Sequence, residues 1–160
     1  MRCHAPLLPI LLLLLALPTE ARAQGQQWGL DIWGLSYHVD RSVDYDEHNW
    51  GLGLRYYFKP DKYFLEADAL RDSNRGLVVP VSLGAEFRIA PLPAGCTLFA
   101  VAALTAAYYQ YPNRNTADIK IGPVPGVAIG CGRVKANVMA VLRKSSEPLA
   151  ALTASLTILF

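Results

Sequence analysis

Apolar and polar residues alternate along eight stretches of the chain, and each stretch has the length of a β-strand. A period of two places successive side chains on opposite faces of a strand. The connecting segments contain the glycine, proline and polar residues that are typical of turns. The pattern therefore predicts an all-β protein with strands over residues 27–39, 50–58, 63–72, 77–88, 96–109, 119–130, 133–142 and 149–160.

The last predicted strand indicates how the sheet is closed. Leu152, Ala154, Leu156, Ile158 and Phe160 share its apolar face, whereas the other face carries serine and threonine. Strands of about 9 to 11 residues cross a bilayer when tilted, and closure leaves no unpaired edge in lipid. We therefore expect one domain over residues 24–160, an eight-stranded antiparallel transmembrane β-barrel. A buried strand of a soluble sandwich is the alternative.

The same alternation assigns side chains to the barrel interior. Four acids and four bases fall on inward positions, mostly in the periplasmic half: Asp31, Glu66, Asp68, Glu86, Arg55, Arg88, Arg133 and Lys135. Inward positions of the outer half are apolar instead: Leu35, Tyr37, Val101, Ala103, Met139 and Val141. This predicts a barrel closed below by ion pairs, with an apolar slot above. A small barrel packed full by its own side chains is the alternative.

Residues 1–23 have the composition of a secretory signal peptide. A basic start is followed by the apolar run 10–17 and by Ala21-Arg22-Ala23, the spacing that a signal peptidase reads. No later run approaches about 18 apolar residues, so no transmembrane helix is expected. The whole chain carries a formal charge of +2, too little to suggest nucleic-acid binding.

Three polar residues fall at the outer ends of predicted strands. His38 ends the first strand, and Asp72 and Ser73 begin the connection after the third. Ester transfer needs a hydroxyl activated by a base of near-neutral pKa, together with a carboxylate that orients the imidazole. These residue types predict a catalytic site, provided that a bulge or the loop turns His38 inward. The alternative is three solvated loop residues.

The chain resembles the outer-membrane lipid A palmitoyltransferase (PagP) family. The resemblance rests on "SYHVD" (36–40), "YDEHNW" (45–50), "ADALRDSN" (67–74) and "PGVAIGCG" (125–132), which follow the family's order and spacing. It implies an outer-membrane enzyme that moves a palmitoyl chain from a glycerophospholipid to lipid A. It also implies catalytic roles for His38, Asp72 and Ser73, and a role for Gly84 as the floor that sets acyl length.

Two features depart from the family pattern. The family's enteric members have an amphipathic helix before the first strand, for which this chain has little room. Of the prolines expected at the family's lateral gates only Pro125 is present, while Trp33, Asn49 and Leu142 occupy the other gate positions. A gate between strands six and seven is therefore expected, and a second gate between the early strands is in doubt.

Cys96 and Cys131 fall at the periplasmic ends of neighbouring strands. A disulfide is compatible with an oxidising periplasm, but the register is too uncertain to require one. No cysteine and histidine residues have the spacing of metal ligands, so we expect no metal and no cofactor.

Together these observations predict a monomeric acyltransferase of the outer membrane, with a phospholipid donor and lipid A as acceptor. His38 would be the general base, Asp72 would orient it, and Ser73 would be either the nucleophile or a polariser of the ester. The alternatives are a non-catalytic barrel that binds a lipid or a partner, and a lipid A deacylase or lipase.

Overall fold

A computed structural model describes residues 27–40, 42, 45–111, 116–142 and 149–160. The predicted signal peptide lies outside these residues, and no helix within them is long and apolar enough to cross a membrane. The described strands are β1 (Trp28–His38), β2 (Gly51–Lys59), β3 (Tyr63–Arg71), β4 (Leu77–Pro91), β5 (Cys96–Tyr111), β6 (Thr116–Cys131), β7 (Val134–Leu142) and β8 (Leu149–Leu159).

The eight strands form one closed antiparallel barrel. Each strand pairs with its neighbours in sequence, and β1 closes the barrel by pairing with β8. The prediction of an all-β, eight-stranded antiparallel barrel is confirmed. β5 and β6 are each 16 residues long, and they extend further than the sequence pattern predicts.

The barrel has two ends of different construction. At the end that we call the turn end, short connections at 60–62, 92–95 and 132–133 join successive strands. Gly132 has a φ of 57°, a conformation that suits glycine, in the two-residue turn between β6 and β7. The opposite end, called the loop end, carries the connections after β1, β3, β5 and β7.

The half of the interior nearest the turn end contains a network of buried charges, called the charged half. Arg55 contacts the carboxylates of Asp31, Glu66 and Glu86, with Nε–Oδ2 and Nη1–Oε1 distances of 3.4 and 3.3 Å to the first and last. Lys135 pairs with Glu86 and also with Asp61 from the first short turn, at 2.9 Å. These ion pairs fill the interior near the turn end, as the sequence predicts.

Two bases predicted in the interior lie outside it. The side chain of Arg88 is 59% exposed, and its Nη2 lies 3.6 Å from Asp61 Oδ2. The register between β4 and β5 shifts just after Arg88, so the alternation no longer holds at the end of β4. Arg133 is exposed because it belongs to the turn that precedes β7. The expected balance of four acids and four bases is therefore wrong.

A β-bulge in β1 overturns two further assignments. Trp33 pairs with Ser155 and Leu35 pairs with Ala154, so Gly34 is an extra residue in the ladder. The bulge reverses the alternation beyond it. Leu35 and Tyr37 consequently face outward, with exposures of 57% and 52%, and the prediction that they line the interior is wrong.

A disulfide joins β5 and β6 at the turn end. Cys96 and Cys131 are directly paired in the ladder, and their sulfur atoms are bonded. The sequence left this disulfide open, and it forms because the register places the two residues opposite each other.

Candidate functional site

A cavity of about 290 Å³ occupies the half of the interior nearest the loop end. We call this half the cavity half. Its walls are mainly apolar and include Leu70, Val78, Ala103, Ala107, Met139 and Val141. Ala103, Met139 and Val141 were predicted here, whereas Val101 packs in the core beneath. The cavity is near the lower limit of about 300–1,000 Å³ for small-molecule sites.

Ser73 and His38 meet at the mouth of this cavity. The distance from His38 Nε2 to Ser73 Oγ is 2.7 Å, a short hydrogen bond. Ser73 is 9% exposed, and both residues line the cavity. The Tyr45 ring stacks on the His38 imidazole, with ring centroids 4.1 Å apart and an interplanar angle of 19°. The arrangement can activate a hydroxyl beside an apolar space.

The Gly34 bulge is the local feature that directs His38 towards Ser73. Uninterrupted alternation would direct His38 outward, but the extra residue turns both Ser36 and His38 to the inner side. Ser36 is buried, and its Oγ lies 3.5 Å from Ser73 Oγ. Glycine inside an alternating strand is the signal in the sequence that indicates such a bulge.

Asp72 holds the turn that presents Ser73. Its Oδ1 accepts hydrogen bonds from the backbone amides of Asn74 (2.9 Å) and Gly76 (2.6 Å). Its Oδ2 is buried and has no hydrogen-bond partner among the described residues. Asp72 therefore adjoins the pair without a hydrogen bond to His38, and the prediction that it orients the imidazole stays a prediction.

Asn49 is a further contact of Ser73. It is 7% exposed, and its Nδ2 donates a hydrogen bond to Ser73 Oγ at 3.0 Å. The family resemblance places Asn49 at a gate position. The sequence pattern does not predict its contact with Ser73, because a loop residue has no periodicity that indicates the direction of its side chain. The backbone amide of Asp46 donates to the Ser73 carbonyl at 3.1 Å, which ties the two loops together.

Gly84 lies beneath the cavity rather than along its wall. It is buried on β4, and a Cβ added to it would collide with the Phe64 ring. Phe64 is 1% exposed and lines the lower part of the cavity. In this structure Phe64 thus separates Gly84 from the open space.

Pro125 lies where the ladder between β6 and β7 ends. The two strands pair from Cys131–Val134 to Gly126–Met139, and the described residues form no pair beyond that, although β7 continues to Leu142. Proline has no N–H to donate to the ladder. Residues from both sides of this seam, Pro123 and Leu142, line the cavity.

The seam between β1 and β2 is bridged where their ladder ends. The last pair is Trp33–Gly51, and beyond it the loop before β2 lies along β1. The backbone amide of Ser36 donates to the Glu47 carbonyl at 2.9 Å, and that of His38 donates to Glu47 Oε1 at 3.2 Å. These bonds join β1 to the loop on this side of the cavity.

Three buried acids below the cavity are close enough to share a cation. One carboxylate oxygen from each of Asp31, Glu66 and Asp68 lies within 4.8 Å of the others. Arg55 forms ion pairs with Asp31 and Glu66, so its guanidinium already supplies positive charge to this cluster.

The fold and this geometry define a closed β-barrel with a histidine–serine pair at the mouth of an apolar cavity. No protein-family model matches the chain, and no curated protein matches it in sequence.

Proposed function

We propose that this protein is an outer-membrane acyltransferase that moves a palmitoyl chain from a glycerophospholipid to lipid A, as a monomer and without a soluble cofactor. The observation that carries the proposal is the 2.7 Å contact between His38 Nε2 and Ser73 Oγ at the mouth of the apolar cavity. An acyl chain in the cavity would bring its ester to these two groups.

The site holds a base and a hydroxyl, two of the groups that ester transfer needs. His38 acts as general base, and Ser73 carries the hydroxyl that His38 activates. Burial of the acyl chain contributes about 0.8 kcal/mol for each methylene removed from water. Asp72 supports the reaction by fixing the turn around Ser73, through its bonds to Asn74 and Gly76.

The outer surface supports a membrane location. Large apolar side chains are exposed all around the barrel, among them Leu52, Leu83, Phe87, Leu104 and Ile121. A soluble monomer rarely exposes so extensive an apolar surface. On β1, exposed Trp28 and Tyr37 are nine residues apart. At about 3.3 Å per residue and a tilt of about 40°, that spans about 23 Å, close to the apolar band of outer-membrane barrels.

The interrupted ladder supports entry of the acyl chain from the side. Pro123 and Pro125 adjoin the unpaired part of the seam between β6 and β7, and Pro123 lines the cavity. A chain that passes there would reach the cavity directly from the lipid phase. Pro125 is thus the proposed lateral gate.

The test is mass spectrometry of lipid A from cells that express the wild-type protein, His38→Ala or Ser73→Ala. We expect lipid A to gain one palmitoyl chain with the wild type only. Activity of the purified variants should fall by about 10³-fold or more, since either residue is essential to the pair. Both variants should still fold, because neither residue belongs to the charged half.

Two outcomes would overturn the proposal. Release of free palmitate without acylated lipid A would identify a hydrolase. Unchanged lipid A in the presence of folded, membrane-inserted protein would favour a barrel that binds lipid without catalysis.

A further inference from the structure

The His38–Ser73 pair lacks one element that ester chemistry requires, a donor for the negative charge that develops on the ester carbonyl. Donors aimed at this charge usually contribute the largest single share of catalysis. Around Ser73 Oγ, the described side chains that contact it are His38 at 2.7 Å, Asn49 at 3.0 Å and Ser36 at 3.5 Å.

Asn49 is the one of these three that donates to Ser73 as a primary amide. A hydroxyl carries one hydrogen and two lone pairs, so it can donate to His38 Nε2 while it accepts from Asn49 Nδ2. The Asn49 amide carries a second hydrogen on the same nitrogen. It therefore presents N–H groups next to the atom that would attack an ester.

The free-energy cost of burying the Asn49 side chain also indicates that this side chain has a functional role. Its side chain is 7% exposed, and its Oδ1 is buried with no hydrogen-bond partner among the described residues. An unsatisfied buried polar atom destabilises a fold, and native proteins retain few of them. A residue kept only to hold the loop would not need a polar side chain that is half unpaired.

We propose that Asn49 is a catalytic residue that donates a hydrogen bond to the oxyanion of the acyl-transfer reaction. The inference rests on the proposed function and adds that Ser73 is the nucleophile. Ser73 Oγ attacks the carbonyl carbon of the donor ester, its proton passes to His38 Nε2, and the carbonyl electron pair moves onto oxygen. Asn49 Nδ2 donates to that oxygen.

The intermediate then collapses and the carbonyl re-forms. The donor glycerol oxygen leaves and takes the proton from His38, which leaves the acyl chain on Ser73. The acceptor hydroxyl next gives its proton to His38 and attacks the acyl-serine, and Asn49 again donates to the oxyanion. Ser73 leaves with the proton held by His38, so all atoms and charges balance.

The test compares Asn49→Leu with His48→Leu in the purified full chain, using a phosphatidylethanolamine donor with sixteen-carbon chains. His48 precedes Asn49 in the same loop, and its side chain is exposed, so it is a matched control. We expect Asn49→Leu to lower kcat by about 10²–10³-fold with little change in KM, since the lost bond forms in the transition state. His48→Leu should retain the wild-type kcat.

Two further measurements separate a catalytic role from a structural one. The pH dependence of kcat should keep its midpoint in Asn49→Leu, because His38 still acts as the base. Asn49→Asp keeps the side-chain size but removes both N–H donors, so its kcat should fall similarly even if Asn49→Leu folds poorly. An unchanged kcat in either folded variant, or a change confined to KM, would overturn the proposal.

Labelling of Ser73 by a long-chain alkyl fluorophosphonate distinguishes this proposal from the proposed function. Wild-type labelling without lipid transfer would contradict the assigned substrates, while slower labelling of Asn49→Leu would still support Asn49. Lipid transfer with equal kcat in wild type and Asn49→Leu would contradict the role of Asn49 but would leave the proposed function intact. Transfer without any labelling of Ser73 would exclude the serine nucleophile and with it this proposal.

Discussion

The two halves of the barrel interior are built on the same strands but differ in content: one is filled by buried ion pairs, and the other encloses an apolar cavity. In the charged half, Lys135 and Glu86 are fully buried, and their charged groups are held by several partners. In the cavity half, mainly apolar walls surround about 290 Å³ of open space, and the polar groups gather at its mouth.

This difference indicates which property of the protein each half determines. Buried ion pairs in the charged half fill the interior and fix the side chains around them, so changes there should affect stability. The cavity half leaves space that a ligand can fill, so changes there should affect activity and selectivity. Phe64 marks the border, because its ring contacts Arg55 below and lines the cavity above.

The largest effect should come from breaking the charged half. Glu86→Leu leaves Arg55 and Lys135 with one carboxylate fewer, and removing one partner of a buried pair costs about 3–5 kcal/mol. We expect the free energy of unfolding to fall by that amount in a denaturant titration. Activity per folded molecule should be unchanged.

The control for Glu86→Leu is Asp118→Leu, which removes an exposed carboxylate on β6. It should hardly change stability, because exposed charges contribute little. Similar midpoints for the two variants would contradict the contribution of buried ion pairs to stability in the charged half.

A smaller effect should follow from removing the disulfide at the turn end. Replacing both Cys96 and Cys131 by alanine opens a loop closed over a sequence separation of 35 residues. A native disulfide typically contributes about 2–4 kcal/mol, so the unfolding midpoint should fall while the proposed acyl transfer persists. A reducing agent should lower the wild-type midpoint and leave that of the double variant unchanged. A reductant-sensitive double variant would contradict this origin of the effect.

The smallest effect should appear at the border between the halves. Gly84→Met should push the Phe64 ring into the cavity and shift the preferred donor of the proposed reaction from sixteen carbons to a shorter chain. Phe64→Leu should shift it the other way. Each methylene is worth about 0.8 kcal/mol, or about fourfold in relative kcat/KM. Competition between donors of different lengths measures the shift.

Ala85→Met is the control for the border, because Ala85 is the neighbour of Gly84 on the opposite face of β4. It should leave chain-length selectivity unchanged. A shorter preference in Ala85→Met, with none in Gly84→Met, would contradict the register of β4.

The regular parts of the barrel could be predicted from the sequence, since alternation alone indicates strand number, order and most inward residues. The positions at which the alternation breaks could not be predicted. The extra Gly34 reverses the direction of Leu35 and Tyr37, and the turn before β7 removes Arg133 from the interior. A shift of one residue depends on which residues pair across two strands. The pattern of one strand carries no information about that pairing.

The residue types proposed for the site were recognisable, but their contacts were not. Ester chemistry suggested His38 and Ser73, and the structure brings them within a hydrogen bond. Asp72 bonds to its own turn instead, because a carboxylate after a strand readily accepts from amides two and four residues later. Asn49 comes from a loop whose course depends on backbone bonds to Ser73 and Ser36.

In the proposed function, the interrupted seam between β6 and β7 would have a kinetic consequence. Substrate that enters through the side of the barrel is drawn from the two-dimensional leaflet rather than from water. The rate of the proposed transfer would then depend on the mole fraction of donor in the membrane, and dilution with an inert lipid would slow it at constant bulk concentration. The unpaired part of the ladder beside Pro123 and Pro125 would thus make the rate of the proposed reaction depend on how much phospholipid its own leaflet contains.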